Sequence, residues 1–336
     1  MTPTEEQRDR GGPVLDADGF RRVAGAIEAE IGRVIVGQGE LVRLTLIALL
    51  SGGHALLEGV PGLGKTLLMR TLADAIDAHF SRIQFTPDLM PADVLGTMIL
   101  YEGPDGGRTF RFEPGPIFAH FVLADEVNRA TPKTQAAMLE AMQERTVTAG
   151  KTSYQLPQPF FVLATQNPLE MEGTFPLPEA QLDRFSLKLE VPFPSLDDLV
   201  EIADRTTSHA TATVGRVAAA ETIVAMTRLA RQVPVAREVT AYAARLVRAT
   251  HPSDPAAPPQ VRAYVRYGAS PRGLQSIVIG GKIHALLAGR HHLSRADVRA
   301  LATPALRHRL ILNFAALAEG VQPDHLIGEV VRAVAE

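Results

Sequence analysis

Apolar positions change their spacing along this chain, and the changes mark its elements. From Phe20, the residues Val23, Ala24, Ile27, Ile31 and Val34 recur at helical spacing. The turn Val36-Gly37-Gln38-Gly39 breaks that helix, and Leu41 to Leu50 restarts one. His54-Ala55-Leu56-Leu57 is a short unbroken apolar run, as a buried strand requires, and Leu67 to Ala73 is a good helix former. Phe80 to Phe85 alternates and predicts a second strand. Thr97–Tyr101 and Thr109–Phe112 flank Glu102-Gly103-Pro104-Asp105-Gly106-Gly107 and predict a β-hairpin. His120–Ala124 and Phe160–Thr165 read as further buried strands. Between them lie a helix over Lys133–Arg145, with Pro132 near its start, and a second hairpin over Thr146–Leu156 turning at Gly150. Leu187–Val191 predicts a last strand.

After Pro192-Phe193-Pro194 the strand signals stop. Ala/Leu/Arg-rich helices are expected near Ser195–Ser208, Ala218–Gln232, Arg237–Ala249, Pro271–Ala288 and Ser294–Leu310, interrupted by a Pro-rich link at Pro252–Pro259. The expected organisation is a flexible tail over 1–19, an α/β nucleotide-binding domain over 20–193 and an all-α lid over 194–336. The length of 336 residues suits two domains, and 46% hydrophobic with 21% charged residues describes a globular chain. The formal net charge of −3 argues against a nucleic-acid motor, which would carry a basic excess. Without cysteine, disulfides and thiolate metal sites are excluded, which suits the cytoplasm. The longest apolar stretch, Leu41 to Leu57, is broken by Arg43 and Ser51-Gly52-Gly53, so no membrane insertion is expected. Met1 to Pro13 lacks the apolar centre of a signal peptide.

The most informative segment is Gly59-Val60-Pro61-Gly62-Leu63-Gly64-Lys65-Thr66. It fits the phosphate-binding loop G-x-x-x-x-G-K-[ST] and lies between a strand and a helix, the context that the motif needs. Its backbone N–H groups can cradle phosphates, Lys65 can reach the β/γ-phosphates of a nucleoside triphosphate, and the Thr66 hydroxyl can ligate Mg²⁺. Leu67 continues the cradle into the helix. Phe121-Val122-Leu123-Ala124-Asp125-Glu126 sends two carboxylates out of a buried strand, where Asp125 can hold Mg²⁺ through water and Glu126 can act as general base. A strand end carrying solvated charge is the plain alternative, and the nearby phosphate loop outweighs it. Asn167 ends a similar strand and can orient the lytic water; on its own, a turn before Pro168 is the stronger reading. Arg184 can stabilise charge that builds up in phosphoryl transfer, often from a neighbouring subunit. Arg272 follows Ser270-Pro271 at a helix N-terminus, a poor place for a cation unless it faces an anion. His291-His292 lacks a third metal ligand, His308 suits a helix end as a cation, and Arg129 and Glu144 read as surface or interface charge.

In their order, Gly59–Thr66, Asp125-Glu126, Asn167, Arg184 and Arg272 resemble Walker A, Walker B, sensor 1, arginine finger and sensor 2 of AAA+ ATPases. Local strings resemble the MoxR family within them: Val36-Gly37-Gln38, Glu58-Gly59-Val60-Pro61-Gly62, Phe85-Thr86-Pro87-Asp88-Leu89-Met90-Pro91, Gly115-Pro116-Ile117-Phe118, Asp125-Glu126-Val127-Asn128-Arg129-Ala130, Leu139-Glu140-Ala141-Met142-Gln143-Glu144, Ala164-Thr165-Gln166-Asn167-Pro168 and Leu177-Pro178-Glu179-Ala180-Gln181-Leu182-Asp183-Arg184-Phe185. The resemblance runs from about residue 20 to the end and is loosest in the helical part. It implies a helix-2 insert at the hairpin 97–112 and a ring, commonly a hexamer, with ATP between subunits. It also implies Arg184 acting on the neighbour's nucleotide, Arg272 acting on its own, and Val36, Gly37 and Gln38 near the adenine. It implies chaperone-like remodelling of protein clients, often metalloenzymes or proteins with a von Willebrand factor A domain. A nucleic-acid motor and a magnesium-chelatase-like metal-insertion motor remain the alternatives.

Overall fold

The computed structural model describes residues 15–102, 104, 107–167, 173–207 and 213–334. Residues 1–14, Pro168, Ser208 and part of the expected hairpin turn at 102–107 lie outside them. The first elements are α1 (Ala17–Gly32), α2 (Gly39–Leu50), β1 (Ala55–Glu58), α3 (Lys65–Ala75), β2 (Phe80–Gln84), α4 (Pro91–Leu95), β3 (Gly96–Glu102) and β4 (Arg108–Pro114). There follow β5 (Phe121–Asp125), α5 (Pro132–Glu144), β6 (Thr146–Ala149), β7 (Thr152–Gln155), β8 (Phe161–Gln166), α6 (Glu179–Leu182) and β9 (Leu187–Glu190). Helix α1 begins three residues ahead of the expected Phe20, because Asp16 caps it by accepting from the Gly19 N–H at 2.7 Å.

The strands form a five-stranded sheet in the order β2-β5-β8-β1-β9, and every pairing is parallel. Alternate residues of each strand enter two different cores. Leu57, Phe121, Leu123, Phe161 and Leu163 join α1, α2 and α3 on one face. Leu56, Val122, Ala124, Val162 and Ala164 join α5 on the other. The sheet is therefore buried on both faces, and this is why its strands lack a polar alternation. The predicted insert is the antiparallel pair β3–β4, which leaves Met98, Ile99, Leu100, Tyr101 and Phe110 exposed.

The second part holds α7 (Leu196–Thr207), α8 (Ala220–Gln232), α9 (Arg237–Ala249), α10 (Pro259–Tyr264), β10 (Val265–Tyr267), α11 (Pro271–Leu287), α12 (Arg295–Leu306), β11 (Ile311–Leu312), α13 (Phe314–Ala318) and α14 (Pro323–Ala333). It is not entirely helical, since β10 and β11 pair antiparallel. These strands are too short to show an alternating pattern. Beyond Leu310, where no helix was expected, Leu326, Ile327 and Val330 of α14 are buried against the same core as α9, α11 and α12. That core is continuous with the α1/α2/α3 side of the sheet, so the helical part is seated on one face of the α/β part. No helix among the described residues is long and apolar enough to cross a membrane.

Candidate nucleotide site

In a parallel sheet every strand ends at the same edge, and crevices outside the carboxyl ends are where ligands collect. Here β1 runs into the loop 59–64, β5 ends at Asp125 and β8 ends at Gln166, side by side in the order β5-β8-β1. The loop turns through left-handed backbone at Gly62 (φ 86°) and Gly64 (φ 78°), conformations that a side chain would strain. Gly64 caps α3, so Lys65 and Thr66 open a helix whose free N–H groups point into the crevice. Lys65 Nζ donates to the Gly59 carbonyl at 2.5 Å, folding over the loop. Burial lowers its pKa, opposed by the charges of Asp125 and Glu126.

The two acids are held by residues that were not predicted as part of the site. Thr165 is fully buried in β8; its hydroxyl donates to Asp125 Oδ1 at 2.6 Å and accepts from the Glu126 N–H at 2.9 Å. Glu126 stands in left-handed backbone at φ 57°, which needs such support. From the neighbouring strand β2, Arg82 Nη2 reaches Asp125 Oδ2 at 2.6 Å, and Gln84 Nε2 donates to Glu126 Oε2 at 2.8 Å. Arg129 Nη1 takes the same Glu126 oxygen at 2.9 Å, so Arg129 is a site residue rather than plain surface charge. The signal for Arg82 and Gln84 was their spacing of two on a strand, which places both on one face. Asn167 is buried just beyond β8, at the same edge. Thr66 and Asp125 offer the hydroxyl and carboxylate oxygens that suit a hard cation such as Mg²⁺, with phosphate oxygens and water completing its shell.

Beside the loop lies a largely apolar cavity of about 480 Å³. Val36, Gln38, Val60, Pro61, Gly62, Leu63, Gly64 and Leu67 form its floor, and Phe193, Pro194, Leu199, Ile202 and Thr206 its roof. Gln38 Nε2 donates to the Leu63 carbonyl at 3.3 Å and ties the turn to the loop. Gly37 has φ 72°, and a Cβ there would stand 2.4 Å from the Asp198 carboxyl carbon of α7. The roof helix α7 buries none of its side chains in the core. A base and sugar fit such a cavity.

Arg184 and Arg272 are elsewhere. They line one pocket of about 540 Å³ together with Gly52 and Gly53, which precede β1. Arg184 likewise precedes β9, and its Nη1 donates to the Leu139 carbonyl at 2.9 Å. Both arginines thus sit at the amino edge of the sheet. The length of β1, about 13 Å at about 3.3 Å per residue, separates them from the phosphate loop. Arg272 begins α11 as expected, and α11 opens beside Arg184. The expectation for His308 is corrected. It lies past the end of α12, buried, with Nε2 on the Phe185 carbonyl at 3.0 Å, and its pKa is well below the usual histidine value through burial and then Arg309. It is a neutral core residue, not a helix-end cation. His291 and His292 are exposed, and the described residues contain no group of three or more metal-ligating side chains.

The parallel sheet, the phosphate loop, the acids at the adjacent strand end and the helical part define an AAA-type ATPase. Residues 54–187 match the family described as "ATPase family associated with various cellular activities (AAA)", and residues 260–330 match its lid domain. The chain is 42% identical to Chaperone MoxR1 of Mycobacterium tuberculosis over 306 residues, covering 91% of this chain and 80% of that protein. It is 31% identical to Protein MoxR of Paracoccus denitrificans, covering 85% and 88%. A crystal structure from Cytophaga hutchinsonii, of a protein described as an ATPase, superposes with a TM-score of 0.88 at 39% identity, covering 95% of this chain and 96% of that one. The chain belongs to the MoxR family of AAA ATPases.

Proposed function

We propose that this protein hydrolyses ATP to ADP and phosphate, with Mg²⁺, and uses the cycle to remodel client proteins. The observation that carries the hydrolysis is the meeting of Lys65, Asp125 and Glu126 at one sheet edge, fixed by Thr165. In this reading Gly59, Pro61, Gly62, Leu63, Gly64, Lys65, Thr66 and Leu67 hold the phosphates. Val36, Gly37 and Gln38 border the base. Mg²⁺, when bound, neutralises phosphate oxygens, and Thr66 and Asp125 would hold it. Glu126 takes a proton from the attacking water that Asn167 orients. In the arrangement described above, the Glu126 carboxylate is tied to Gln84 and Arg129, so it must turn from them to reach that water.

Placing Arg184 and Arg272 at the far edge supports a site shared between copies in a ring, a hexamer in the family pattern, with both arginines facing the neighbour's nucleotide. The nucleotide-binding part would span 20–193 and the lid 194–336, acting in the cytoplasm. Client remodelling, and von Willebrand factor A domain proteins as clients, rest on the family resemblance, and remodelling also on one relative named as a chaperone. Binding is tested by titrating fluorescent ATP. Lys65→Ala is expected to lose tight binding, and chelation of Mg²⁺ to stop turnover in the parental protein. The shared site is tested by mixing Lys65→Ala with Arg184→Ala. Recovery of ATPase supports it, and silence in rings that contain both variants opposes it.

A further inference from the structure

Arg231, in the last turn of α8, lines the pocket of Arg184 and Arg272 from a third element. One acid lines that pocket, Asp183, and it is engaged by Arg309 at 2.8 Å and by the Ser270 hydroxyl at 2.7 Å. The free carbonyls of a helix end favour a nearby cation. Lys282 already serves that purpose, with its Nζ 3.0 Å from the Arg231 carbonyl. The Arg231 guanidinium is therefore a second cation at the same helix end. Arg145 crowds it further: a Cβ at Gly52 would stand 3.4 Å from Arg145 Nη2 and 3.8 Å from Arg231 Nη2. Arg145 is anchored to the Gly52 carbonyl at 2.6 Å. Both Arg145 and Lys282 have lowered pKa values, first through burial and then through the charge of Arg231. In a chain of net charge −3, such crowding is unfavourable until an anion joins it.

Arg184, Arg231 and Arg272 line one cavity of about 540 Å³ from three parts of the chain, with Arg309 held on Asp183 beside them and Gly52 and Gly53 in its wall. Several arginines around one cavity match the several oxygens of a polyphosphate. We propose that Arg231 is a third phosphate-contacting arginine, gripping with Arg184 and Arg272 the ATP phosphates held by a neighbouring copy of this chain. This rests on the shared-site reading given above. It adds a contact from α8, the second helix of the lid, so lid position and charge stabilisation at the neighbour's nucleotide become linked.

The test is the ATPase of Arg231→Ala and Arg231→Lys, alone and in mixed rings. Arg231→Ala is expected to lose roughly 10- to 100-fold in kcat, the scale of losing one charge-stabilising donor, while binding fluorescent ATP as the parent does. Arg231→Lys is expected to regain part of the loss. Mixing Arg231→Ala with Lys65→Ala is expected to raise turnover severalfold above either alone, because the second variant supplies Arg231 to the first. A merely structural role would not be rescued in this way. Parental turnover by Arg231→Ala overturns the proposal. So does a silent mixture when Lys65→Ala with Arg184→Ala recovers, and the shared site then still stands. If neither mixture recovers in rings shown by native mass spectrometry to contain both variants, the shared site fails and Arg231 with it.

Discussion

Replacing Thr165 by Val keeps the shape of the β8 core and removes one oxygen. That oxygen makes two contacts, a 2.6 Å donation to Asp125 and a 2.9 Å acceptance from the Glu126 N–H. A hydrogen bond to a charged group contributes about 1.5–3 kcal/mol, and a buried N–H left without a partner costs about 1–3 kcal/mol. Asp125 keeps Arg82 and some solvent, with its side chain 14% exposed, so the lower ends of these ranges apply and the sum is about 2.5 kcal/mol. In a chain of this size that lowers Tm by about 3–4 °C. The catalytic effect is separate. Glu126 holds left-handed backbone at φ 57°, and without the Thr165 contact to its N–H that backbone, from which the carboxylate must swing to the water, is no longer fixed. Turnover is expected to fall by about tenfold or more, as misplacement of a catalytic group predicts. ATP binding through the Lys65 loop should change little. Thr165→Ser restores the hydroxyl and should recover most of both losses. The assays are thermal melting, fluorescent ATP titration and steady-state phosphate release. Parental turnover in Thr165→Val would refute the positioning role, whatever the melting temperature.

Gly37→Ala forces a Cβ against Asp198 in left-handed backbone, which costs about 1–2 kcal/mol for the backbone alone, so ATP should bind roughly tenfold more weakly with kcat preserved; equal affinity in the titration would remove Gly37 from the base pocket. His54 is buried, accepts the Val162 N–H at 3.0 Å on Nδ1, and has its pKa lowered from 6.5 to about 4 by burial. Because the unfolded chain takes up that proton near pH 6.5 and the folded chain does not until about 4, stability falls as pH drops through this window, by about 3 kcal/mol from this residue. Urea titrations between pH 7 and 4 should show that slope in the parent and a shallower one in His54→Gln, and equal slopes would contradict the assignment.

How much was legible depended on whether a residue's role lay in its own neighbourhood. The strands β1, β5 and β8 were readable as unbroken apolar runs because both faces of the sheet are covered. Helix α9 was predicted over the same residues, Arg237–Ala249, by its Ala/Leu/Arg-rich composition. The phosphate loop and Asp125-Glu126 were readable because each is contiguous in the chain. Thr165 was hidden at the end of an apolar run, where a threonine passes for core. Arg82 and Gln84 were hidden because their meaning depends on which strand lies beside β2. Arg272 was recognised at its helix start, but a helix start does not say at which edge of the sheet it opens. Only the bond from its cap Ser270 to Asp183 places it there. Strands β10 and β11, at three and two residues, carried no periodic signal at all.

The central claim is that Glu126 turns bound ATP into ADP at the edge where Lys65 and Asp125 meet. Single-turnover hydrolysis of radiolabelled ATP with Mg²⁺, parent against Glu126→Gln, tests it most directly. Both proteins are expected to bind ATP, the parent to convert it to ADP, and Glu126→Gln to retain it uncleaved. ADP formed at the parental rate by Glu126→Gln would contradict it.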